Sequence, residues 1–131
     1  MTLPRLAVTA GEPAGVGAEL LIRLAATPLA ATLVAVTDRR LLQRAAARCG
    51  ASVELVDDDG SRAASSTPGM LRVRHTPLLA DEMPGRPDPR NAPHVLATLA
   101  EAADGCLAGR YDAVVTAPLQ KSAINDAGIR F

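Results

Sequence analysis

Short apolar runs alternate with longer amphipathic segments along the first half of the chain. The runs cover residues 5–10, 32–37 and 52–56. Over 16–26 and 38–49, apolar residues recur every three or four positions, which is the spacing of a helix with one buried face. This order predicts an α/β fold with a mostly parallel sheet and helices on both faces, because short joins between parallel strands require right-handed crossovers.

Local signals mark the ends of these two helices. Glu19 lies in the first turn of the first helix, where the helix dipole favours an anion, and Pro28 follows its end. Asp38 is placed to cap the second helix, and Gly50 is placed to close it. The sequence therefore predicts where each of the two helices begins and ends.

The second half of the chain is less regular. Residues 57–69 carry an acidic run and small polar side chains, which predict a solvated loop. The alternation over 70–76 predicts a half-buried strand and suggests an antiparallel edge. Four prolines predict an irregular excursion over 80–93. A long helix over 93–107 and a buried strand over 111–116 follow.

Length, charge and composition exclude several classes of protein. A chain of 131 residues suits one α/β portion with a sizeable core, built from aliphatic side chains because only Tyr111 and Phe131 are aromatic. The formal net charge of zero gives no electrostatic reason to expect nucleic acid or an anionic membrane as partner. No apolar run approaches membrane-spanning length, and no signal peptide is evident, so we expect a cytoplasmic protein.

A glycine-rich loop follows the first predicted strand. Gly11, Gly15 and Gly17 stand beside Glu12 and Pro13, immediately before the first helix. The spacing matches neither the dinucleotide fingerprint nor the Walker loop. Two interpretations remain open: the free N–H groups at the helix start approach a ligand, or the loop is only a tight strand-to-helix connection.

A second polar loop follows the last predicted strand. Thr116 ends that strand, and Lys121 and Asn125 come shortly after it. Because ligands gather at the carboxyl ends of parallel strands, an ammonium group there suits an anionic substrate. A surface lysine on a short helix closed by Gly128 is the alternative.

The two histidines give no support for a metal site. His75 lies in a predicted strand and His94 in the first turn of a helix, without an acidic or histidine partner at ligand spacing. We therefore assign no metal ligand in this chain.

Three segments together resemble one enzyme family. They are "AVTAGEPAGVGAELL" near the start, "HVLATLAEAADGCLAG" in the middle and "DAVVTAPLQKSAINDAGIRF" at the end. In this order and at this separation they resemble the corresponding segments of the PdxA family, the 4-hydroxythreonine-4-phosphate dehydrogenases of pyridoxal phosphate biosynthesis. The resemblance extends over essentially the whole chain.

The resemblance implies a homodimeric enzyme whose subunits have two α/β domains, similar to isocitrate and isopropylmalate dehydrogenases. Such enzymes oxidise the C3 hydroxyl of 4-(phosphooxy)-threonine with NAD or NADP. The product then loses carbon dioxide to give 3-amino-2-oxopropyl phosphate. A divalent metal (zinc, magnesium or cobalt) held by histidines would act as the Lewis acid.

The resemblance also implies that residues 1–131 correspond to the N-terminal portion of such an enzyme, the remainder being absent. The family's Gly-His-Thr-Glu segment and its metal-ligand histidines come after the point that corresponds to Phe131. We therefore expect the metal to be bound by residues beyond this chain, and the chain alone to be inactive. The expected residues at the substrate or cofactor cleft are Gly11, Glu12, Gly15, Gly17, Lys121 and Asn125, with Glu12 orienting Lys121.

Other functions stay open at this point. Relatives with the same fold act on threonate or erythronate 4-phosphates, or on aromatic cis-dihydrodiol carboxylates. A third possibility is a non-catalytic ligand-binding or dimerisation module. The discriminating contacts would lie downstream of this chain.

Overall fold

A five-stranded parallel sheet forms the centre of the computed structural model, which describes residues 1–130. The strands are β1 (Arg5–Thr9), β2 (Thr32–Thr37), β3 (Glu54–Asp57), β4 (Met70–His75) and β5 (Ala113–Thr116). The helices are α1 (Gly17–Ala25), α2 (Arg39–Cys49), α3 (Ala92–Leu107) and α4 (Lys121–Asp126), with a 3-10 turn at Pro89–Asn91. The strand order is β3-β4-β2-β1-β5.

The strand order places a topological switch point beside β1. The chain leaves β1 through α1 towards β2 and the far edge, and α3 later brings it back to add β5 on the other side of β1. In open parallel sheets the crevice at such a point is where ligands bind, outside the carboxyl ends of the strands. Here that crevice lies between β1 and β5.

Helices cover both faces of the sheet, which confirms the predicted fold class. Helices α1 and α2 pack side by side on one face. Their apolar residues and those of the strands beneath form one core cluster, which includes Val8, Ala18, Leu21, Ile22, Ala35, Leu41, Leu42, Leu71 and Val73. Helix α3 covers the opposite face, where a second cluster contains Ala7, Val34, Val36, Ala102 and Tyr111.

The predicted ends of α2 are confirmed. The Oδ1 atom of Asp38 accepts a hydrogen bond from the N–H of Arg40 at 2.7 Å, which satisfies one of the open donors of the first turn. Gly50 ends the helix in the left-handed region, with φ of +63°.

The prediction that 70–76 forms an antiparallel edge is wrong. Strand β4 is parallel and lies inside the sheet, between β3 and β2. The alternation of apolar and charged residues in β4 resembles that of an edge strand. It arises because the loop after β3, and not water, covers the charged side chain of Arg72. Its Nη1 donates to the carbonyl of Ser61 at 2.6 Å and lies 3.6 Å from the Asp58 carboxylate.

The loop over 57–69 is not uniformly solvated, because Asp58 is buried against β1. Arg5, which is 2% exposed, donates Nη1 and Nη2 to the two carboxylate oxygens of Asp58 at 2.9 and 2.7 Å. Two further hydrogen bonds run from the Arg5 guanidinium to the carbonyls of Ser61 and Arg110. This loop therefore completes the sheet face that α3 leaves uncovered.

The last strand is shorter and more exposed than its sequence predicts. Strand β5 pairs with β1 alone within residues 1–130, and three of its four residues are exposed. Tyr111, just before it, is buried against Gly105 of α3.

Among the helices of residues 1–130, none has the length and apolarity that crossing a bilayer requires.

Candidate functional site

The two polar loops of the sequence meet at the carboxyl ends of β1 and β5. Thr9 and Thr116 are register partners at the ends of these strands. The N–H of Ala117 donates to the carbonyl of Thr9 at 3.1 Å, and the N–H of Glu12 donates to the carbonyl of Pro118 at 3.0 Å. The loops are thus joined through their backbones at the switch point.

Two of the loop glycines are required by this contact. Gly11 has a φ of +70°, and a Cβ atom there would lie 2.1 Å from the carbonyl oxygen of Pro118. A Cβ on Gly17 would lie 1.8 Å from the carbonyl oxygen of Ala10 and 2.9 Å from the Cβ of Ala117. Gly11 and Gly17 therefore allow the two loops to pack together, a reason within the chain that the sequence does not reveal.

Gly15 occupies a different position in the same loop. It is exposed, and its nearest neighbour for an added Cβ is the carbonyl oxygen of Glu12 at 3.2 Å. The N-cap position of α1, Val16, makes no side-chain capping bond, so the first turn of α1 is open to the same side. Gly15 is thus the exposed glycine of this loop, and its N–H donates to the carbonyl of Glu12 at 2.9 Å.

Glu12 is a buried carboxyl group at the centre of this edge. The residue is 8% exposed, and its Oε1 accepts a hydrogen bond from the N–H of Ala14 at 3.2 Å. Burial raises the pKa of Glu12, the Ala14 N–H opposes this, and the nearby Asp88 carboxylate raises the pKa further. The predicted pairing of Glu12 with Lys121 stays a prediction.

The excursion over 80–91 folds onto the glycine loop. The N–H of Gly85 donates to the carbonyl of Ala14 at 2.8 Å. Glu82, whose side chain is buried, forms a two-oxygen hydrogen-bonded ion pair with Arg44 of α2. The excursion is therefore fastened at both ends and brings Asp88 near Glu12.

Asn91 holds the base of the excursion. Its Oδ1 accepts hydrogen bonds from the N–H groups of Leu79 and Ala80 at 3.1 and 2.9 Å, and its Nδ2 donates to the carbonyl of Ala80 at 2.9 Å. The sequence predicts no role for Asn91 or for Glu82. Neither belongs to a motif, and only the fold brings their partners within reach.

Lys121 and Asn125 lie on one side of α4. Positions four residues apart share a helix face, and both residues are exposed. The opposite side of α4 buries Ala123 and Ile124, and Ile124 packs against Ala92 and Val95 of α3. This packing directs the predicted pair of polar side chains away from the core.

Asp38 and the two histidines, His75 and His94, form hydrogen bonds within the fold. Asp38 accepts N–H bonds from both Arg40 and Leu78, and His75 Nδ1 accepts the N–H of Arg39 at 3.1 Å. His94 is buried, and its Nδ1 donates to the carbonyl of Pro77 at 3.0 Å.

No group of three or more histidine, cysteine or acidic side chains in residues 1–130 is arranged to hold a metal. The described part of this chain therefore does not fit a metal centre.

The candidate site lies along the carboxyl edge of the sheet. A pocket of about 90 Å³ lies elsewhere, near the end of α1 and the starts of β2 and β4, and none of the six predicted site residues lines it. What the carboxyl edge offers is a buried carboxyl group, an open helix start and two exposed polar side chains of α4. Such a set can form one wall of a site for a small anion, whose remaining contacts must come from elsewhere.

Comparison with known proteins finds relatives that align with nearly the whole chain. The 4-hydroxythreonine-4-phosphate dehydrogenase of Chromobacterium violaceum is 49% identical over 128 residues, which are 98% of this chain and 38% of that protein. The enzyme of the same name from Thioalkalivibrio sulfidiphilus is 47% identical over 131 residues, 99% of this chain and 40% of that protein. The chain thus spans about 40% of the length of these curated relatives.

A solved structure has the same architecture. The crystal structure of a 4-hydroxythreonine-4-phosphate dehydrogenase from Burkholderia phymatum superposes with a TM-score of 0.86 at 26% identity, covering 100% of this chain and 41% of that one. This agreement confirms the isocitrate/isopropylmalate dehydrogenase-like α/β fold class. The family model described as "Pyridoxal phosphate biosynthetic protein PdxA" matches residues 29–131. The chain belongs to the PdxA family of pyridoxal phosphate biosynthetic proteins.

Proposed function

We propose that the full-length protein oxidises 4-(phosphooxy)-L-threonine with NAD or NADP in pyridoxal 5'-phosphate biosynthesis. The oxidised product then loses carbon dioxide to give 3-amino-2-oxopropyl phosphate. The observation that carries the proposal is the backbone joint between the loops after β1 and β5, at the switch point of a chain whose curated relatives bear this enzyme's name. We propose that the active enzyme is a cytoplasmic homodimer.

The residues of this chain form one wall of the proposed cleft. Lys121 is the cation for the phosphate or carboxylate of the substrate, because its ammonium group lies on the exposed side of α4. Asn125, four residues along the same side, offers an amide that donates to or accepts from substrate oxygens. Gly15 lies exposed just before the first turn of α1, which has no side-chain cap and whose N–H groups favour an anion.

Glu12 has a positioning role in this proposal. Its N–H holds the loop after β5, and its carboxyl group holds the N–H of Ala14 in its own loop. Removing the carboxylate charge while keeping the shape, as in Glu12→Gln, would test whether the charge matters beyond these bonds.

The metal and the nicotinamide cofactor need residues from outside this chain. The described histidines and carboxylates do not fit a metal, and the glycine spacing does not fit a dinucleotide fingerprint. We therefore assign the metal ligands and the main cofactor contacts to the part of the longer relatives that this chain lacks.

A substrate panel with the full-length enzyme tests the proposal. We expect metal-dependent NAD or NADP reduction with 4-(phosphooxy)-threonine, and much slower reduction with erythronate 4-phosphate, threonate 4-phosphate or an aromatic cis-dihydrodiol carboxylate. Faster turnover of any of these three would replace the proposed substrate. The 131-residue chain alone should give no reduction.

Matched variants test the cleft wall. Lys121→Met should raise KM for the phosphorylated substrate by roughly 30–150-fold, the value of one charge-assisted hydrogen bond of about 2–3 kcal/mol. Ser122→Ala is the control, because Ser122 is exposed on the same short helix and its hydroxyl donates to Gln120. Equal kinetic constants for the two variants would remove Lys121 from the site.

A further inference from the structure

The excursion over 80–91 carries a tight turn that contacts the glycine loop. In the Met83–Arg86 turn, the N–H of Arg86 donates to the carbonyl of Met83 at 2.9 Å, and Gly85 has a φ of +79°. Proline second and glycine third is the pattern of a type II turn, whose internal hydrogen bond does not use the N–H of the third residue. That N–H, from Gly85, donates to the carbonyl of Ala14 at 2.8 Å.

The backbone of Ala14 is held on both of its polar sides. Its carbonyl accepts from Gly85, and its N–H donates to the Oε1 atom of Glu12 at 3.2 Å. Two residues later the chain enters α1 at Val16, which has no side-chain cap. Because no side chain fixes this helix start, the backbone contacts of Ala14 determine where the first N–H groups of α1 lie.

Glu82 anchors the Met83–Arg86 turn to helix α2. Its side chain is 2% exposed, and the Nε atom of Arg44 lies 2.9 and 2.8 Å from its two carboxylate oxygens. The Nη1 atom of Arg48, one turn further along α2, lies 3.9 Å from the same carboxylate. Because separating a buried carboxylate from its cations is costly, this contact holds the excursion at one place on α2.

We propose that Glu82 is a positioning residue for the substrate-binding wall. Its ion pair on α2 places the Met83–Arg86 turn, the turn holds Ala14, and Ala14 leads into the start of α1. Glu82 itself contacts no substrate, so it acts only through this chain of contacts. The inference rests on the proposed function for the substrate anion at the start of α1, whereas the contacts from Glu82 to Ala14 belong to the fold.

Kinetics of the full-length enzyme test the proposal. Glu82→Gln keeps the size of the side chain and removes its charge. We expect KM for the phosphorylated substrate to rise roughly 10-fold, the value of one hydrogen bond to a charged group, with kcat within about twofold of wild type. A variant that is only less stable contains less folded enzyme, which lowers the apparent kcat and leaves KM unchanged.

Asp81→Asn is the matched control. It removes the same charge from the preceding residue, but the Asp81 side chain is 82% exposed and lies 3.8 Å from Arg44. Solvent screens such a pair, so KM should stay at the wild-type value. Arg44→Lys is a milder second variant, because it keeps the cation and loses the planar fork of donors. It should raise KM in the same direction, and it tests the anchor even if Glu82→Gln does not fold.

Hydrogen exchange follows the contacts without any substrate. In Glu82→Gln, the amides of Gly85 and Ala14 should exchange at least about tenfold faster than in wild type, because the turn and the loop open together. The amides of Leu79 and Ala80 should keep their protection, since Asn91 holds them independently of Glu82. A general loss of stability would instead accelerate all four amides.

Three results would overturn the proposal: an unchanged KM in Glu82→Gln and Arg44→Lys, an equal rise of KM in Asp81→Asn, or faster exchange at Gly85 with Ala14 unaffected. A wild-type enzyme that reduces neither NAD nor NADP with 4-(phosphooxy)-threonine would contradict the proposed function instead. The exchange measurement would then still decide whether Glu82 positions the start of α1.

Discussion

Replacing Arg5 by methionine tests the least expected feature of the fold, a buried ion pair under the loop after β3. Arg5 is 2% exposed and donates four hydrogen bonds, two of them to Asp58. Methionine keeps much of the volume but removes the charge and every donor. Among residues 1–130, the ion-pair partner left to the buried Asp58 carboxylate would be Arg72, at 3.6 Å.

The expected loss is a large fraction of the stability of an ordinary domain. Removing one partner of a buried pair costs about 3–5 kcal/mol in the free energy of unfolding. The remaining Arg72 partly compensates the Asp58 charge, so we expect a loss near the lower end, about 3 kcal/mol. Arg62→Met is the control: its pair with Asp112 is about 40% exposed on both sides, and its loss should be below about 1 kcal/mol.

The loss should also depend on pH. Burial alone would raise the pKa of Asp58, but the hydrogen bonds and charge of Arg5 outweigh this and hold that pKa below its usual value. A carboxyl group with a lowered pKa in the folded state stabilises the fold above its unfolded pKa, near 4, and loses this contribution as pH falls further. The difference between wild type and Arg5→Met should therefore shrink below about pH 4.

Urea unfolding of the 131-residue chain measures these effects. A double-mutant cycle with Asp58→Asn should show that the two substitutions together cost less than the sum of their separate losses. A loss below about 1 kcal/mol for Arg5→Met, or a cycle without coupling, would refute the ion pair as a source of stability.

Three further substitutions test other contacts of the fold. Gly105→Ala should destabilise the chain by about 2 kcal/mol, because its Cβ would lie 2.3 Å from the Tyr111 ring; an unchanged urea midpoint would contradict this packing. Gly17→Ala should cost about 3 kcal/mol through the 1.8 Å approach to the Ala10 carbonyl, and a fully stable variant would show that the loops pack differently. Burial lowers the pKa of His94, so stability should fall as pH drops below about 6.5, and His94→Gln should flatten that slope in unfolding curves collected at several pH values.

The regular first half of the fold could be predicted because each of its signals is local. The helical spacing of apolar residues and the two capping residues predict α2, and Asp38 and Gly50 lie at its two ends as predicted. The α/β class follows from the same order of elements. The errors come from long-range contacts. Arg72 interrupts the apolar pattern of the interior strand β4, because its side chain lies under the loop that carries Asp58. No local sequence pattern predicts an ion-pair partner 14 residues away.

The position of the site could be predicted better than its construction. Both chemically unusual loops were expected at one sheet edge, and the register of Thr9 with Thr116 places them side by side. The sequence does not indicate that the excursion over 80–91 also packs at this edge, beside the two loops. Its anchors, Glu82 on Arg44 and Asn91 on Ala80, depend on the fold bringing distant segments together.

The glycines of the first loop divide into two kinds once their neighbours are known. At Gly11 and Gly17, carbonyl oxygens of the chain itself leave no room for a Cβ atom. These two glycines are therefore explained without a ligand. Gly15 is exposed, and an added Cβ would make a tight contact of 3.2 Å with the carbonyl oxygen of Glu12. The functional interpretation of this loop therefore concentrates on Gly15 and Glu12. Gly15→Ala should lower the stability of the chain less than Gly17→Ala, because its closest contact is 3.2 Å rather than 1.8 Å, while altering substrate KM in the full-length enzyme.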